Sequence, residues 1–187
     1  MMSVPAPPDD DDAVARGLGL VNLFCPDIES FGTITAVDSA DLPDVDRALL
    51  DHRSHMTVTM ERHHRCPLDV RVLAERTGEG GRYAREILLV RPDGRAVQYG
   101  IVRIDLTAVD PLTAAAIRRG AAPLGRILVE AGLLCDVTRV SLVRIEPGSH
   151  LREVVAARGT LSGRVAEILV AGQPAIELLE VVLPARC

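Results

Sequence analysis

The clearest alternation of apolar and polar positions runs through the middle of the chain. Arg82 to Val90 reads as a strand, Arg91-Pro92-Asp93-Gly94-Arg95 as a tight reversal with Pro and Gly where one needs them, and Ala96 to Leu106 as the returning strand. Asp69 to Arg76 alternates as a further strand and reaches this hairpin through the flexible turn Gly78-Glu79-Gly80-Gly81. Near the C-terminus, Gly163 to Val170, the turn Ala171-Gly172-Gln173-Pro174 and Ala175 to Leu183 form a second hairpin pattern. Between the hairpins, Val137 to Glu146 and Leu151 to Ala157 fit two strands or a strand and a short helix. Three stretches carry helix signals. Pro43 to Leu50 has apolar Val45, Leu49 and Leu50, with Asp41, Asp44 and Asp46 near its positive end. Asp110-Pro111 is an N-cap followed by a first-turn proline, closed by Arg118, Arg119 and Gly120. Pro123-Leu124-Gly125 leads into a second short helix ending near Gly132. The β-favouring run Met56-Thr57-Val58-Thr59-Met60, within Ser54 to Arg62, is expected to enter the sheet. Strands outnumber helices and tight turns join most of them. The pattern predicts an α+β domain, a single mostly antiparallel β-sheet with helices on one face.

A chain of 187 residues is long enough for one well-buried core and short for two. Residues 1–16, rich in Pro and Asp, are expected to be a disordered acidic leader, and 17–187 a single domain. Hydrophobic residues make up 48% of the chain but aromatics only 2%, so the core must be built from Val, Leu, Ile and Ala. Few aromatic platforms and a net charge of -5 argue against a nucleic-acid partner. All 21 basic residues are Arg, which excludes a lysine Schiff base and a P-loop lysine and leaves anion binding to Arg, His and backbone amides. The four cysteines, Cys25, Cys66, Cys135 and Cys187, form no CxxC pair and read as free thiols in a reducing compartment. No apolar run approaches the ~20 residues of a membrane span, and the acidic run Asp9–Asp12 stands where a signal peptide would need a positive region followed by an apolar stretch, so none is expected. The expected location is the cytoplasm, with no membrane partner.

Two charges stand on otherwise apolar strand faces. With period-two alternation Arg85 shares a face with Ile87 and Leu89, and Glu180 shares one with Ile176, Leu178 and Val182. A lone buried ion costs several kcal/mol or more, so such groups meet an opposite charge, meet a ligand or reach an edge. The readings left open are an anion-binding cavity with a carboxyl group on its far wall, an ordinary ion pair, and a strand end reaching solvent. Other signals are weaker. His63-His64, with His52, His55 and Cys66 nearby, could suggest a metal, but adjacent histidines on a strand point to opposite faces, so no metal is expected. The Gly78–Gly81 turn has neither the following helix nor the Lys of a phosphate loop. Arg118, Arg119 and Arg126 could draw an anion towards a site, although a helix C-terminus favours cations in any case.

Three blocks resemble the chorismate pyruvate-lyase family, in that family's order. They are Tyr83-Ala84-Arg85-Glu86-Ile87-Leu88-Leu89 before a Pro-Asp-Gly hairpin, Ala122-Pro123-Leu124-Gly125-Arg126, and Glu180-Val181-Val182-Leu183-Pro184. With the expected helix and Met56-Thr57 they span roughly residues 40 to 187. The resemblance implies a monomer with an enclosed cavity beneath two helical flaps, and cofactor-free conversion of chorismate to 4-hydroxybenzoate and pyruvate. It places Arg85 on the ring carboxylate with the Leu124 backbone, Gly125 beside it, Glu180 at the ring oxygen and Met56 in the cavity lining. Such a reaction gains aromaticity on losing enolpyruvate and a ring proton, so it needs orientation and limited acid–base help. Burial on an apolar face disfavours the ionised form of a carboxyl, so Glu180 is expected to be able to donate a proton to the departing ether oxygen. Two departures from the family bear on the substrate: an extra stretch around Glu146-Pro147-Gly148-Ser149-His150, and Ala84 in place of an aromatic residue. The alternatives are a related secondary-metabolite enzyme acting on another carboxylic acid, or a non-catalytic, small-carboxylate-binding sensor. The effector domains of one group of bacterial transcription regulators resemble this fold, and here a sensor would need a separate DNA-binding partner.

Overall fold

The computed structural model describes residues 10–156 and 159–184. Among the described residues seven strands form one sheet, antiparallel at every pairing. They are β1 (Gly32–Ala36), β2 (Asp69–Thr77), β3 (Arg82–Val90), β4 (Ala96–Asp105), β5 (Cys135–Pro147), β6 (Leu161–Val170) and β7 (Gln173–Val182), in the order β1-β5-β6-β7-β4-β3-β2. The hairpins read from the sequence are β3–β4 and β6–β7, and β4 pairs with β7 to join them at the centre.

The helices are α1 (Asp10–Val21), α2 (Ile28–Phe31), α3 (Asp44–Leu50), α4 (Met56–His64), α5 (Pro111–Arg119), α6 (Leu124–Glu130) and α7 (Ser149–Val155). The α5 ends match their signals: the Asp110 carboxylate accepts from the Leu112 and Thr113 amides, and Gly120 closes the helix with φ +60°. The undecided stretch near Leu151 is the short helix α7, anchored by fully buried Leu151.

Three expectations are corrected. Residues 10–16, placed in a disordered leader, begin α1, whose Leu20 and Val21 are buried against the sheet; residues 1–9 lie outside the described residues. The run Met56–Met60 is helical. Met56, Thr57 and Met60 are buried at helical spacing while Val58 is 41% exposed, so packing of one face overrides local β-preference. Helices also cover both faces of the sheet. Every residue of β3 after Arg82 is buried, which one covered face could not produce. One face carries α3, α4, α5 and α6 over Ile87, Val102, Leu178 and Val182; the other carries α1, α2 and α7 over Leu88, Tyr99, Val165 and Leu179.

The stretch around Glu146–His150 builds a tight corner on the second face. A Cβ on Gly148 would stand 2.3 Å from the Ser30 carbonyl oxygen and 2.7 Å from that of Glu29, and the Gly148 amide donates to the Phe31 carbonyl at 2.7 Å. Gly148→Ala is therefore expected to lower the unfolding free energy by roughly 2–3 kcal/mol. Chemical denaturation measures this; an unchanged midpoint would mean that the corner yields freely.

Candidate functional site

Strand register assembles the site. Arg85 lies opposite Val102, Glu180 lies opposite both Gly100 and Arg164, and Gln98 lies opposite Leu89 and Val182. All these positions belong to one sheet face. A cavity of about 50 Å³ opens between that face and the pair α4–α6. Arg85, Glu180, Met56, Leu124 and Gly125 all line it, together with Gln98, His55 and Arg164. Its remaining walls are largely aliphatic, including Ile87, Leu89, Val102 and Leu178. That volume holds a few water molecules, so an organic ligand needs the helical wall or the Arg85 side chain to give way.

The Pro123-Leu124-Gly125 turn sets how closely the wall is built. A Cβ on Gly125 would lie 3.1 Å from Thr57 Oγ1 and 3.2 Å from His55 Cβ, so the absent side chain lets α6 approach α4. Leu124 and Gly125 are the first residues of α6, whose amides have no intrahelical acceptor. Gly100 leaves the floor without a side chain between Gln98 and Val102, at a position where a Cβ would make ordinary contact with Ile87.

Arg85 is 1% exposed and its Nη1 donates to the Ile117 carbonyl oxygen at 3.3 Å. Its Nε has no partner, and it makes no ion pair within 4.0 Å among the described residues. Cross-strand Glu75 is exposed and accepts from the Tyr83 hydroxyl at 3.0 Å. Burial pushes the Arg85 guanidinium below its ordinary pKa, while Tyr83 and Glu75 act in the opposite direction.

Glu180 is differently placed. Arg164, 0% exposed and directly opposite it on β6, donates Nε to Glu180 Oε2 at 2.7 Å. The same guanidinium reaches the His52 carbonyl oxygen at 2.8 Å and that of Ser54 at 3.2 Å, tying the α3–α4 loop to the sheet. The ion-pair reading thus applies to Glu180, with Arg164 rather than Arg85 as its partner, and it removes the ground for treating Glu180 as an isolated proton donor. Two buried charges escaped the sequence reading. One is Arg164. The other is Glu86, which faces the second side of the sheet, accepts from the Tyr99 hydroxyl at 2.7 Å and lies 3.5 Å from His150 Nε2. Hairpin counting was the available signal for Arg164, but a register shift between Ile168 and Leu169 displaces its partner by one residue.

Other candidates resolve simply. His63 and His64 end a helix, not a strand, with their rings edge-to-face at 4.8 Å. Arg126 binds the Glu61 carboxylate and the Leu68 carbonyl oxygen, so its charge braces α6 against α4 rather than steering an anion.

Burial holds His52 and His55 below the usual histidine pKa; the Arg164 guanidinium adds to this at both, and the Leu49 carbonyl opposes it at His52. His64 is shifted the same way by burial. In the unfolded chain these rings take a proton near pH 6.5. Their contribution is therefore complete above about pH 6.5 and is lost as pH falls towards their folded-state values. The melting temperature is expected to be lower at pH 5.5 than at pH 7.5. Replacing His52 and His55 by Asn should shrink that difference, and an unaltered difference would contradict the assignment.

Among the described residues no helix is long and apolar enough to cross a membrane. No protein-family model and no curated protein matches the chain. Solved structures do. PhnF from Mycobacterium smegmatis superposes with a TM-score of 0.50 at 12% identity, over 69% of this chain and 63% of that one. Its effector domain alone gives 0.49 at 13% identity, over 69% and 88%. A GntR-family transcriptional regulator from Enterococcus faecalis gives 0.45 at 10% identity, over 63% and 98%. At these identities the likeness is one of fold: a single antiparallel sheet of the chorismate-lyase-like type, shared with PhnF.

Proposed function

We propose that this chain binds a compact carboxylic acid in the cavity between α4–α6 and the sheet, with the carboxylate on Arg85 and the Leu124 backbone amide. The observation that carries this reading is Arg85 itself, a guanidinium 1% exposed with an unpartnered Nε and no carboxylate partner among the described residues. A buried cation left in that state costs stability, whereas a bound carboxylate would supply both the countercharge and paired hydrogen bonds. The aliphatic walls suit the apolar body of such an acid. Binding without turnover, as in a sensor domain, needs nothing further from the site. The fold shared with the regulator structures accords with it.

Turnover of chorismate to 4-hydroxybenzoate and pyruvate is the second reading. It is supported by the gathering of Arg85, Leu124, Gly125, Met56 and Glu180 around one cavity, the set that the motif resemblance implies. In it Arg85 and the Leu124 amide orient the ring carboxylate, and Glu180, held by Arg164, accepts through Oε1 from the ring hydroxyl while the ring C–O bond to enolpyruvate breaks and the proton lost from the ring passes to the departing enolpyruvate, which becomes pyruvate. Incubating the protein with chorismate, without metal or nucleotide, and following aromatic product and pyruvate separates the two readings. Product that Arg85→Ala and Glu180→Ala both abolish establishes the lyase. Untouched chorismate, with 4-hydroxybenzoate raising the melting temperature, establishes binding alone.

A further inference from the structure

Two arginines fasten the helical wall of the cavity. Towards the far end of α4, Arg126 on α6 binds the Glu61 carboxylate and the Leu68 carbonyl oxygen. At the other end stands Arg164, which makes every hydrogen bond joining residues 52–54 to the sheet among the described residues, to the His52 carbonyl oxygen at 2.8 Å and that of Ser54 at 3.2 Å. His55 and Met56 come next in the chain and line the cavity, so this fastening holds the α4 end of the wall in place. Asp51, Arg53 and Ser54 are exposed, so little packing would replace it.

His52 makes the fastening sensitive to a proton. Its Nε2 lies 2.7 Å from the Leu49 carbonyl oxygen and must donate, because a carbonyl only accepts. Nδ1 is therefore the bare nitrogen of the neutral ring, a tautomer assigned from these partners. It accepts from the Ser54 amide at 3.1 Å and lies 3.3 Å from Arg164 Nη1. A proton on Nδ1 turns that acceptor into a donor facing both groups and sets a second cation beside the guanidinium. The charged groups acting on the ring from the sheet are Arg164 of β6 and Glu180 of β7. On its own segment Arg53 and Asp51 flank it, and the Asp51 carboxylate accepts from the Ser39 hydroxyl at 2.6 Å. Burial and then Arg164 disfavour the protonated ring, while the Leu49 carbonyl, Glu180 and the Ser54 backbone oppose them with less effect.

We infer that the α3–α4 loop is a proton-released latch on the cavity: protonation of His52 frees residues 52–54 from Arg164 and lets the wall open at His55 and Met56. For its ligand this inference rests on the carboxylate-binding reading above; the opening itself does not depend on that reading. The latch is shut while Nδ1 is bare. It loosens as pH falls below about 6.5, where a ring released from the loop takes up its proton. A cavity of about 50 Å³ has to enlarge before an organic acid enters, and this end of the wall is where a proton acts on it.

The test is amide hydrogen exchange of the full chain without ligand at pH 7.5 and 5.5, each corrected for the intrinsic pH dependence of exchange. Protection of residues 52–57 is expected to fall by about threefold or more at the lower pH, while α6 and the sheet keep theirs. His52→Asn places a side-chain carbonyl near the position of Nδ1 but does not titrate, so most of that fall should vanish in the variant. Stopped-flow mixing with 4-hydroxybenzoate is expected to show faster association at pH 5.5 in the wild type and no such acceleration in His52→Asn. Equal protection at the two pH values, or a fall that survives in His52→Asn, overturns the latch while leaving Arg85-dependent binding intact. A pH-dependent loop with a pH-independent association rate overturns its role as the entrance. If the acid binds at neither pH, the carboxylate-binding reading fails, and the exchange result alone decides the latch.

Discussion

Replacing Arg164 by Met is expected to lower the unfolding free energy by roughly 3–5 kcal/mol, the range seen when one partner of a buried ion pair is removed. The loss comes chiefly from what remains. Glu180 would stay in an aliphatic surrounding without the guanidinium that now lies 2.7 Å from it, and the His52 and Ser54 carbonyl oxygens would lose their donor. The register predicts a rescue as well. Arg164 and Glu180 are directly opposed on β6 and β7, so Arg164→Met combined with Glu180→Leu removes both charges at one cross-strand position. The double variant should be clearly more stable than Arg164→Met alone. Chemical denaturation of the four proteins closes the cycle. Additive losses would show that the two charges are not acting as a pair.

Replacing Arg85 by Met has the opposite stability sign and the largest expected effect on binding. The Arg85 side chain donates to the Ile117 carbonyl at 3.3 Å, interacts with Tyr83 and makes no ion pair among the described residues, so exchanging it for an apolar side chain should leave the melting temperature unchanged or raised. Carboxylate affinity should fall about 100-fold or more, as when one partner of a buried charge pair is lost. Two measurements on one variant, a melting curve and a titration, therefore separate a residue that serves a ligand from one that serves the fold. A large loss of stability in Arg85→Met would place this cation among the fold's own supports.

The contrast between these two arginines shows what was legible in the sequence. Arg85 and Glu180 stood out because strict alternation put each on an apolar face, and both line the cavity. The Pro-Leu-Gly turn was legible for a local reason, since Gly125 permits a helix approach that any Cβ would resist. Arg164 was not legible as the partner of Glu180. Its strand and hairpin were read correctly, but counting back from the turn misses by one residue at an irregularity that has no sequence signal. The helix α4 was missed because its β-favouring residues outweigh its period, and only the buried Met56, Thr57 and Met60 reveal the face that stabilises it. The second helical layer was missed for a related reason. Its first element, α1, begins in a run of Asp residues that reads as a solvated leader, while the apolar face that docks it starts only at Ala13 and continues at Gly17, Leu20 and Val21.

The most direct test of a carboxylate-binding cavity centred on Arg85 is a calorimetric comparison of 4-hydroxybenzoate with its neutral counterpart 4-hydroxybenzamide. The two differ at the end that Arg85 would meet and share the hydroxyl at the other. Saturable one-to-one binding of the acid, with the amide weaker by about 100-fold, is the expected result. Equal binding of the two, or binding of neither, would contradict the assignment of Arg85 as the anchor of an anionic ligand.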